Sequence, residues 1–142
     1  MGTATPSLAA ETNALREAYA AFNWNDIPAF GQIFDPQIEW IEPVEFAGGG
    51  TYRGLDVVLA HLVKSRQSWA EGSCEPQRIV VAGDRIVQIV HVHVRLKHET
   101  EWREGQVAEV YTFRHGKVIQ VRLFGDGKQA MEWAGVKGSD GD

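Results

Sequence analysis

The second half of the chain contains two long runs rich in β-branched residues, each interrupted by a glycine turn. The first run reads RIVVAGDRIVQIVHVHVRL and turns at Gly83 and Asp84, and the second reads QVAEVYTFRHGKVIQVRLF and turns at His115 and Gly116. β-branched residues favour strands, and a short glycine turn between two such runs is typical of a hairpin. We therefore predict a four-stranded antiparallel meander in this half.

The first half has a helical pattern instead. Apolar residues recur at helical spacing in two segments, which predicts an N-terminal helix and a later helix from about Leu55 to Trp69. Between them, Asp26 is placed to cap a short second helix, with Pro28 in its first turn. Three helices followed by a meander predict an α+β domain with the helices on one face of a curved sheet.

One early strand is predicted over EWIEPVEF, from Glu39 to Phe46. Alternation places Trp40, Glu42 and Val44 on one face, so an acid shares a face with two apolar residues. From the residues alone, Glu42 is expected at a sheet edge in solvent, as most glutamates are. The three glycines that follow predict a mobile loop or a backbone that closely approaches another group.

Composition excludes several classes of partner. The 142 residues carry a net charge of −5 with no basic stripe, which argues against nucleic acid and anionic membranes. No apolar run approaches the roughly 20 residues that cross a bilayer, and the N-terminus lacks a signal-peptide pattern, so we expect a cytoplasmic protein. The single cysteine, Cys74, lies between acids in a loop-like stretch and is expected to be incidental.

Three stretches in order carry a resemblance to a known superfamily: NDIPAFGQIFDPQIEWIEP, YRGLDVVLAHL and TFRHGKVIQVRLF. They resemble the nuclear transport factor 2-like superfamily, and within it the SnoaL-like polyketide cyclases and the ketosteroid isomerases. The resemblance implies a cone-shaped antiparallel sheet wrapped around three N-terminal helices, a cystatin-like α+β barrel with a deep apolar pocket. We expect one domain over residues 1–136 and a disordered tail over residues 137–142.

The resemblance also implies a site. In ketosteroid isomerases the acid before the proline of the early strand is the general base, and here that position is Glu42. A tyrosine on the first helix and a protonated acid on a late strand form the oxyanion hole, which are the positions of Tyr19 and Glu109. We expect the substrate to contact six further residues: Trp40, Val44, Leu59, His61, Tyr111 and Phe113.

The function that this implies is a cofactor-independent enzyme, without a metal, acting on a hydrophobic carbonyl compound or a polyketide- or steroid-like molecule. The chemistry would be isomerisation, cyclisation or dehydration by acid and base groups. A non-catalytic protein that binds a small hydrophobic ligand in the same pocket is the alternative. The family also implies a homodimer formed through the exposed sheet face, which fits strands with apolar residues on both faces.

Several of these residues have other interpretations. Tyr19 can equally be a core tyrosine, and Glu109 can pair with Arg95 or Arg122 across the sheet. His61 is either a proton shuttle or a polar residue at the pocket rim. Asp126 resembles an acid that is catalytic in some SnoaL-like chains, but its glycine neighbours are also typical of a turn or a helix cap.

The HVH stretch places His91 and His93 on one strand face. An outer or dimer-facing surface is the first interpretation, pocket lining the second and metal ligation a distant third. The next acid, Glu99, is too far along the chain for the usual metal-binding pattern of this kind.

Overall fold

The computed structural model describes residues 8–136, so the tail predicted over residues 137–142 lies outside the described residues. The helices are α1 (Ala9–Asn23), α2 (Ile27–Phe30), α3 (Leu55–Gln67) and α4 (Gly127–Ala134), and a 3₁₀ turn (Gly31–Ile33) follows α2. The strands are β1 (Phe34–Glu42), β2 (Gly50–Arg53), β3 (Trp69–Ala82), β4 (Arg85–Leu96), β5 (Arg103–Arg114) and β6 (Lys117–Phe124).

The six strands form one sheet in the order β2-β1-β6-β5-β4-β3. Strands β1 and β6 are parallel, and every other neighbouring pair is antiparallel. The predicted α+β class is therefore confirmed, and so are the hairpin turns that join β3 to β4 and β5 to β6. The first three helices pack on one face of this curved sheet and share one hydrophobic core with it, in agreement with the predicted fold.

The helical half follows the predicted stripes. Helix α1 buries Leu15, Ala18, Tyr19 and Phe22 against the inner face of the sheet. The carboxylate of Asp26 accepts a hydrogen bond at 3.2 Å from the backbone N–H three residues later, which caps α2 as predicted. These contacts fix the side of α1 that faces the interior.

A series of aromatic contacts links α1 to β1. The ring centroids of Tyr19 and Phe30 are 5.9 Å apart, and those of Phe30 and Phe34 are 5.3 Å apart. Phe34 in turn contacts Trp40 at 6.1 Å. Edge-to-face pairs of this kind stabilise the packing beyond the area that they bury. The series holds Tyr19 and Trp40 at two sides of the same interior.

Strand β1 begins and ends earlier than the sequence predicts. It runs from Phe34 to Glu42 instead of from Glu39 to Phe46, and it tolerates Pro36 within it. Pairing with β2 stops at Glu42 and Gly50, because Pro43 has no N–H to continue the ladder and the chain turns back tightly there. Val44 consequently lies beyond the strand, where it is 88% exposed.

The observed strand β3 differs from the sequence prediction in two respects. It begins at Trp69, so α3 ends at Gln67, and the segment around Cys74 that looks like a loop is paired with β4. Because β3 is the sheet edge, it accommodates Pro76 at a register shift without breaking the sheet. The side chain of Asn23 makes two hydrogen bonds with the backbone of Cys74, which ties the end of α1 to this strand.

Helix α4 covers part of the opposite, outer face of the sheet. Ala130 and Ala134 pack against Val87, Ala108 and Val110 in a second, smaller core. Two of the apolar residues on that outer face, Ile89 and Phe124, also pack against this cluster. Within residues 8–136, no helix is long and apolar enough to cross a membrane.

Two adjacent valines on α3 differ in exposure, and substituting each in turn tests the orientation of this helix. Val58 is fully buried, whereas Val57 is half exposed. We expect Val58→Ala to lower the free energy of unfolding by about 2 kcal/mol, because two buried methyl groups are lost and a cavity remains. Val57→Ala should change it by less than about 0.5 kcal/mol. Urea denaturation of both variants measures the difference, and equal losses would contradict the described orientation.

Candidate functional site

A cavity of about 200 Å³ lies between the first helices and the inner face of the sheet. All three predicted catalytic residues, Tyr19, Glu42 and Glu109, line it, together with Trp40. Most of the remaining wall is apolar or aromatic and includes Phe22, Phe30, Phe46, Leu62, Trp69 and Val90. The cavity therefore combines two carboxyl groups with a water-poor surround.

The carboxyl group of Glu109 is buried and receives three hydrogen bonds. Tyr19 on α1 donates to Oε2 at 2.8 Å, and Tyr111 donates to Oε1 at 2.9 Å. The amide of Gln88, which faces Glu109 from β4, donates to Oε1 at 3.1 Å. The predicted alternative partners are not used, since Arg95 pairs with Glu71 and Glu109 lies among neutral donors.

Burial shifts the protonation of this cluster. Loss of solvent raises the pKa of Glu109, and its three hydrogen bonds oppose that rise only in part. The negative charge of Glu42 raises the pKa of Glu109 further, which reflects the proximity of the two carboxyl groups. Burial likewise raises the pKa of Tyr19 and that of Tyr111 well above the usual tyrosine range, so both hydroxyls keep their protons.

Glu42 occupies a different environment at the end of β1. Its Oε2 accepts a hydrogen bond from the indole N–H of Trp40 at 2.8 Å and lies 2.6 Å from Nε2 of His61. The side chains of His61 and Glu42 are about one-tenth exposed. The ring of His61 stacks on Tyr52, with 3.8 Å between ring centroids. The indole N–H of Trp40 and a ring nitrogen of His61 thus contact the same carboxylate oxygen, and the histidine ring is itself held by an aromatic ring.

The backbone of Gly48 closes over this pair. A Cβ at Gly48 would lie 2.8 Å from Cε1 of His61 and 2.9 Å from Oε1 of Glu42, so a larger residue would displace one of them. The hydroxyl of Tyr52 donates to the carbonyl of Gly48 at 3.0 Å. The glycine run therefore marks a close approach, one of its two predicted roles.

Comparison with known families identifies the domain. The model of the SnoaL-like domain family matches residues 15–121, which is most of the chain. This chain belongs to the SnoaL-like domain family. A search of curated proteins finds no match.

Solved structures show the same fold for this SnoaL-like domain. An NTF2-like protein from Burkholderia xenovorans is 27% identical, with a TM-score of 0.71 and coverage of 94% of this chain and 98% of that one. TerC, co-crystallised with polyporic acid, is 22% identical, with a TM-score of 0.71 and coverage of 87% and 96%. A protein from Catenulispora acidiphila with a ketosteroid isomerase-like fold, in complex with trimethylamine, is 15% identical, with a TM-score of 0.69 and coverage of 85% and 86%.

The six predicted binding residues of the SnoaL-like domain are spread over several positions. Trp40 lines the cavity, and His61 contacts Glu42 behind it. Tyr111 supports Glu109, and Phe113 is buried in the main core. The other two lie farther away, since Val44 is in solvent after β1 and Leu59 packs on Gly31. Of the six residues, Trp40 alone is among those that line the cavity in the described part of the chain.

Sequence reasoning missed three supporting residues of this site. Gln88 is fully buried opposite Glu109, and Tyr52 holds His61. The position of Gln88 could have been predicted from the alternation of side chains along β4, because Gln88 shares a face with the cavity residue Val90. Cys74 also lines the cavity, where burial raises its pKa to about 12, so it is an inert thiol rather than a nucleophile.

The remaining candidates of the SnoaL-like domain lie away from the cavity. His91 pairs with Glu104 at 2.9 Å, and His93 stacks on Trp102 with 4.4 Å between ring centroids. His91 is only partly exposed and His93 is exposed, in agreement with their predicted position on the outer surface. Asp126 accepts a hydrogen bond from the backbone N–H of Lys128 and caps α4, the second of its two predicted roles.

The raised pKa of Glu109 predicts a pH-dependent stability. Because the folded state holds this proton more tightly than the unfolded state, stability is complete in acid and is lost as pH rises through the folded pKa. Each unit of the rise costs the wild type about 1.4 kcal/mol. Glu109→Gln removes this loss, so we expect its stability relative to the wild type to increase from pH 4 to pH 9.

Urea denaturation at several pH values measures this difference. Glu101→Gln, at an exposed carboxylate, is the matched control and should follow the wild type at every pH. A wild type that gains stability relative to Glu109→Gln as pH rises would contradict a raised pKa at this residue.

Proposed function

We propose that this SnoaL-like domain is a cofactor-independent enzyme that moves a proton on a small hydrophobic carbonyl compound. Glu42 would take a proton from the carbon beside the carbonyl group, while Tyr19 and Glu109 stabilise the resulting oxyanion. The observation that carries the proposal is that Glu42 lines the same apolar cavity as the Tyr19–Glu109 pair. Isomerisation, cyclisation and dehydration all begin with such a step.

The hydrogen bonds of Glu109 indicate which oxygen would face the substrate. Two donors, Tyr111 and Gln88, converge on Oε1, so the proton of a neutral carboxyl belongs on Oε2 beside Tyr19. Glu109 and Tyr19 then hold two protons between them, and their mutual hydrogen bond uses only one. The second proton is available to a ligand oxygen, which is what an oxyanion hole requires.

Glu42 has the complementary arrangement for a base. The Trp40 indole can only donate, so Oε2 of Glu42 is the acceptor in this contact. With its Nε2 protonated, His61 would donate to the same oxygen and act as a positioning residue. Both contacts fall on Oε2, which leaves Oε1 to accept the substrate proton. The two carboxyl groups would thereby divide base and acid between them.

The volume of the cavity limits the substrate. About 200 Å³ is below the roughly 300–1,000 Å³ of sites for drug-sized ligands, so we infer a compound with one or two rings rather than a steroid. The ligands named for TerC and for the Catenulispora acidiphila protein, polyporic acid and trimethylamine, support small-molecule binding in this fold.

The homodimer and the cytoplasmic location predicted from the sequence are part of the same proposal.

Exchange of carbon-bound hydrogen tests the chemistry before the natural substrate is known. A panel of one- and two-ring ketones in D₂O, followed by proton NMR, should show enzyme-dependent deuterium uptake beside the carbonyl group. We expect Glu42→Gln to slow this uptake by about 10²–10⁴-fold, because it removes the base. Glu45→Gln alters an exposed carboxylate three residues away and should leave the rate unchanged.

Two results of this experiment would contradict the proposed enzymatic function. The first is a wild type that binds a ketone, seen by ligand-observed NMR, without exchange above the buffer rate, which would favour the non-catalytic binding protein. The second is exchange that survives in Glu42→Gln at the wild-type rate.

The close approach of Gly48 provides a separate test. We expect Gly48→Ala to slow exchange by about 10–100-fold, because the added methyl group displaces His61 or Glu42. Gly105→Ala is the matched control, since a Cβ there meets nothing within 4 Å. Thermal melting should show both variants folded at the assay temperature. Equal rates for the two variants would contradict the proposed role of this backbone contact.

A further inference from the structure

Two arginines lie on the outer face of the sheet, on the opposite side from the cavity. Arg85 is on β4 and Arg122 is on β6, on either side of β5. Arg85 is in register with Thr112, and Arg122 is in register with Val110, a residue of the outer core under α4. Alternation along each strand therefore places both arginines and Thr112 on one face.

A single tryptophan contacts both positive charges. The guanidinium carbon of Arg85 lies 4.3 Å from the ring centroid of Trp133 on α4, and that of Arg122 lies 4.9 Å from it. Each contact is a favourable cation–π interaction. The arrangement nevertheless gathers two like charges around one ring, where they repel each other.

The hydrogen-bonding capacity of this cluster is not met within the described chain. The Nε atoms of Arg85 and Arg122 and the hydroxyl of Thr112 are buried without a hydrogen-bond partner among residues 8–136. Neither arginine forms a salt bridge in that part of the chain. Three other arginines do pair with carboxylates: Arg53, Arg95 and Arg103. Buried donors without partners are costly, so their clustering indicates a missing acceptor.

The carboxylate of Glu39 is close enough to interact with the charge of Arg122 but is already engaged. Glu39 accepts hydrogen bonds from Gln120 and Arg53. These bonds lower the pKa of Glu39, and the charge of Arg122 contributes less to the same effect. Its charge compensates Arg122 only at longer range, and Arg85 lies farther along the sheet, beyond β6 and β5. The cluster therefore keeps an excess of positive charge although the whole chain is acidic.

We propose that Arg85, Arg122 and Thr112 bind an oxyanion, a carboxylate or phosphate group, beside the ring of Trp133. Guanidinium groups bind such oxygens in paired hydrogen bonds, and the Thr112 hydroxyl supplies a further donor. The negative charge of the anion reduces the repulsion between the arginines, and its oxygens supply acceptors for the guanidinium N–H groups. Because this site is on the other face of the sheet, it does not depend on the chemistry of the cavity.

NMR of the full chain tests the site. Separate titrations with inorganic phosphate and with acetate, at constant ionic strength, should give saturable shifts of the Nε–H signals of Arg85 and Arg122 and of the indole N–H of Trp133. The anion that saturates at the lower concentration identifies the preferred group. We expect Arg85→Gln and Arg122→Gln each to weaken binding at least tenfold, while Arg114→Gln, at an exposed arginine, leaves it unchanged.

Thr112→Val keeps the charge of the cluster and should weaken binding by a smaller factor, which tests the site even if an arginine variant does not fold. Shifts that do not saturate, or binding that is equal in Arg85→Gln and the wild type, overturn the proposal. A third result would also overturn it: sedimentation detects a dimer, and the arginine signals respond to the anion only after this dimer has dissociated. The acceptor would then be a carboxylate of a second copy of the chain.

Discussion

The contact between Tyr19 and Glu109 joins the two halves of this protein. One residue lies on the first helix and the other on β5, ninety positions later, and their side chains meet at 2.8 Å in the interior. Burial of this carboxyl group raises its pKa, because the ionised form loses solvent, and three neutral donors offset part of that cost. The aromatic packing of α1 and the register that sets Gln88 against Glu109 both position this contact.

The two carboxyl groups of the cavity have opposite environments. Glu109 is fully enclosed and its pKa is raised, which favours an acid that donates a hydrogen bond. Glu42 is at a strand end with its side chain about one-tenth exposed, and one of its carboxylate oxygens accepts a hydrogen bond from an indole N–H. Under the proposed function, this difference assigns the base to the strand end and the oxyanion hole to the buried strand. Gly48 and Tyr52 complete the base side by holding His61 in place.

The sequence predicted much of the fold because local signals agreed with the global structure. The turns at Gly83 and His115 and the cap at Asp26 depend on a few neighbouring residues, and all three are confirmed. Strand β3 was predicted only in part, because an edge strand tolerates the glycine and proline that usually indicate a loop. For the site, the residues alone favoured a solvent-exposed Glu42, and only the family resemblance predicted that it faces the cavity. Contacts such as Gln88 with Glu109, or Trp133 with two arginines, depend on strand register and helix docking, which no local pattern encodes.

The protonation of Glu109 is the point on which the proposed chemistry depends, and carbon NMR measures it directly. In protein labelled at the glutamate side-chain carboxyl carbon, the Glu109 signal, assigned by its loss in Glu109→Gln, can be followed from acid to alkaline pH. The predicted result is a titration midpoint clearly above that of the exposed glutamates in the same spectra. A midpoint at or below theirs would mean that Glu109 is ionised in the folded protein at neutral pH, and an oxyanion hole built on its proton would be contradicted.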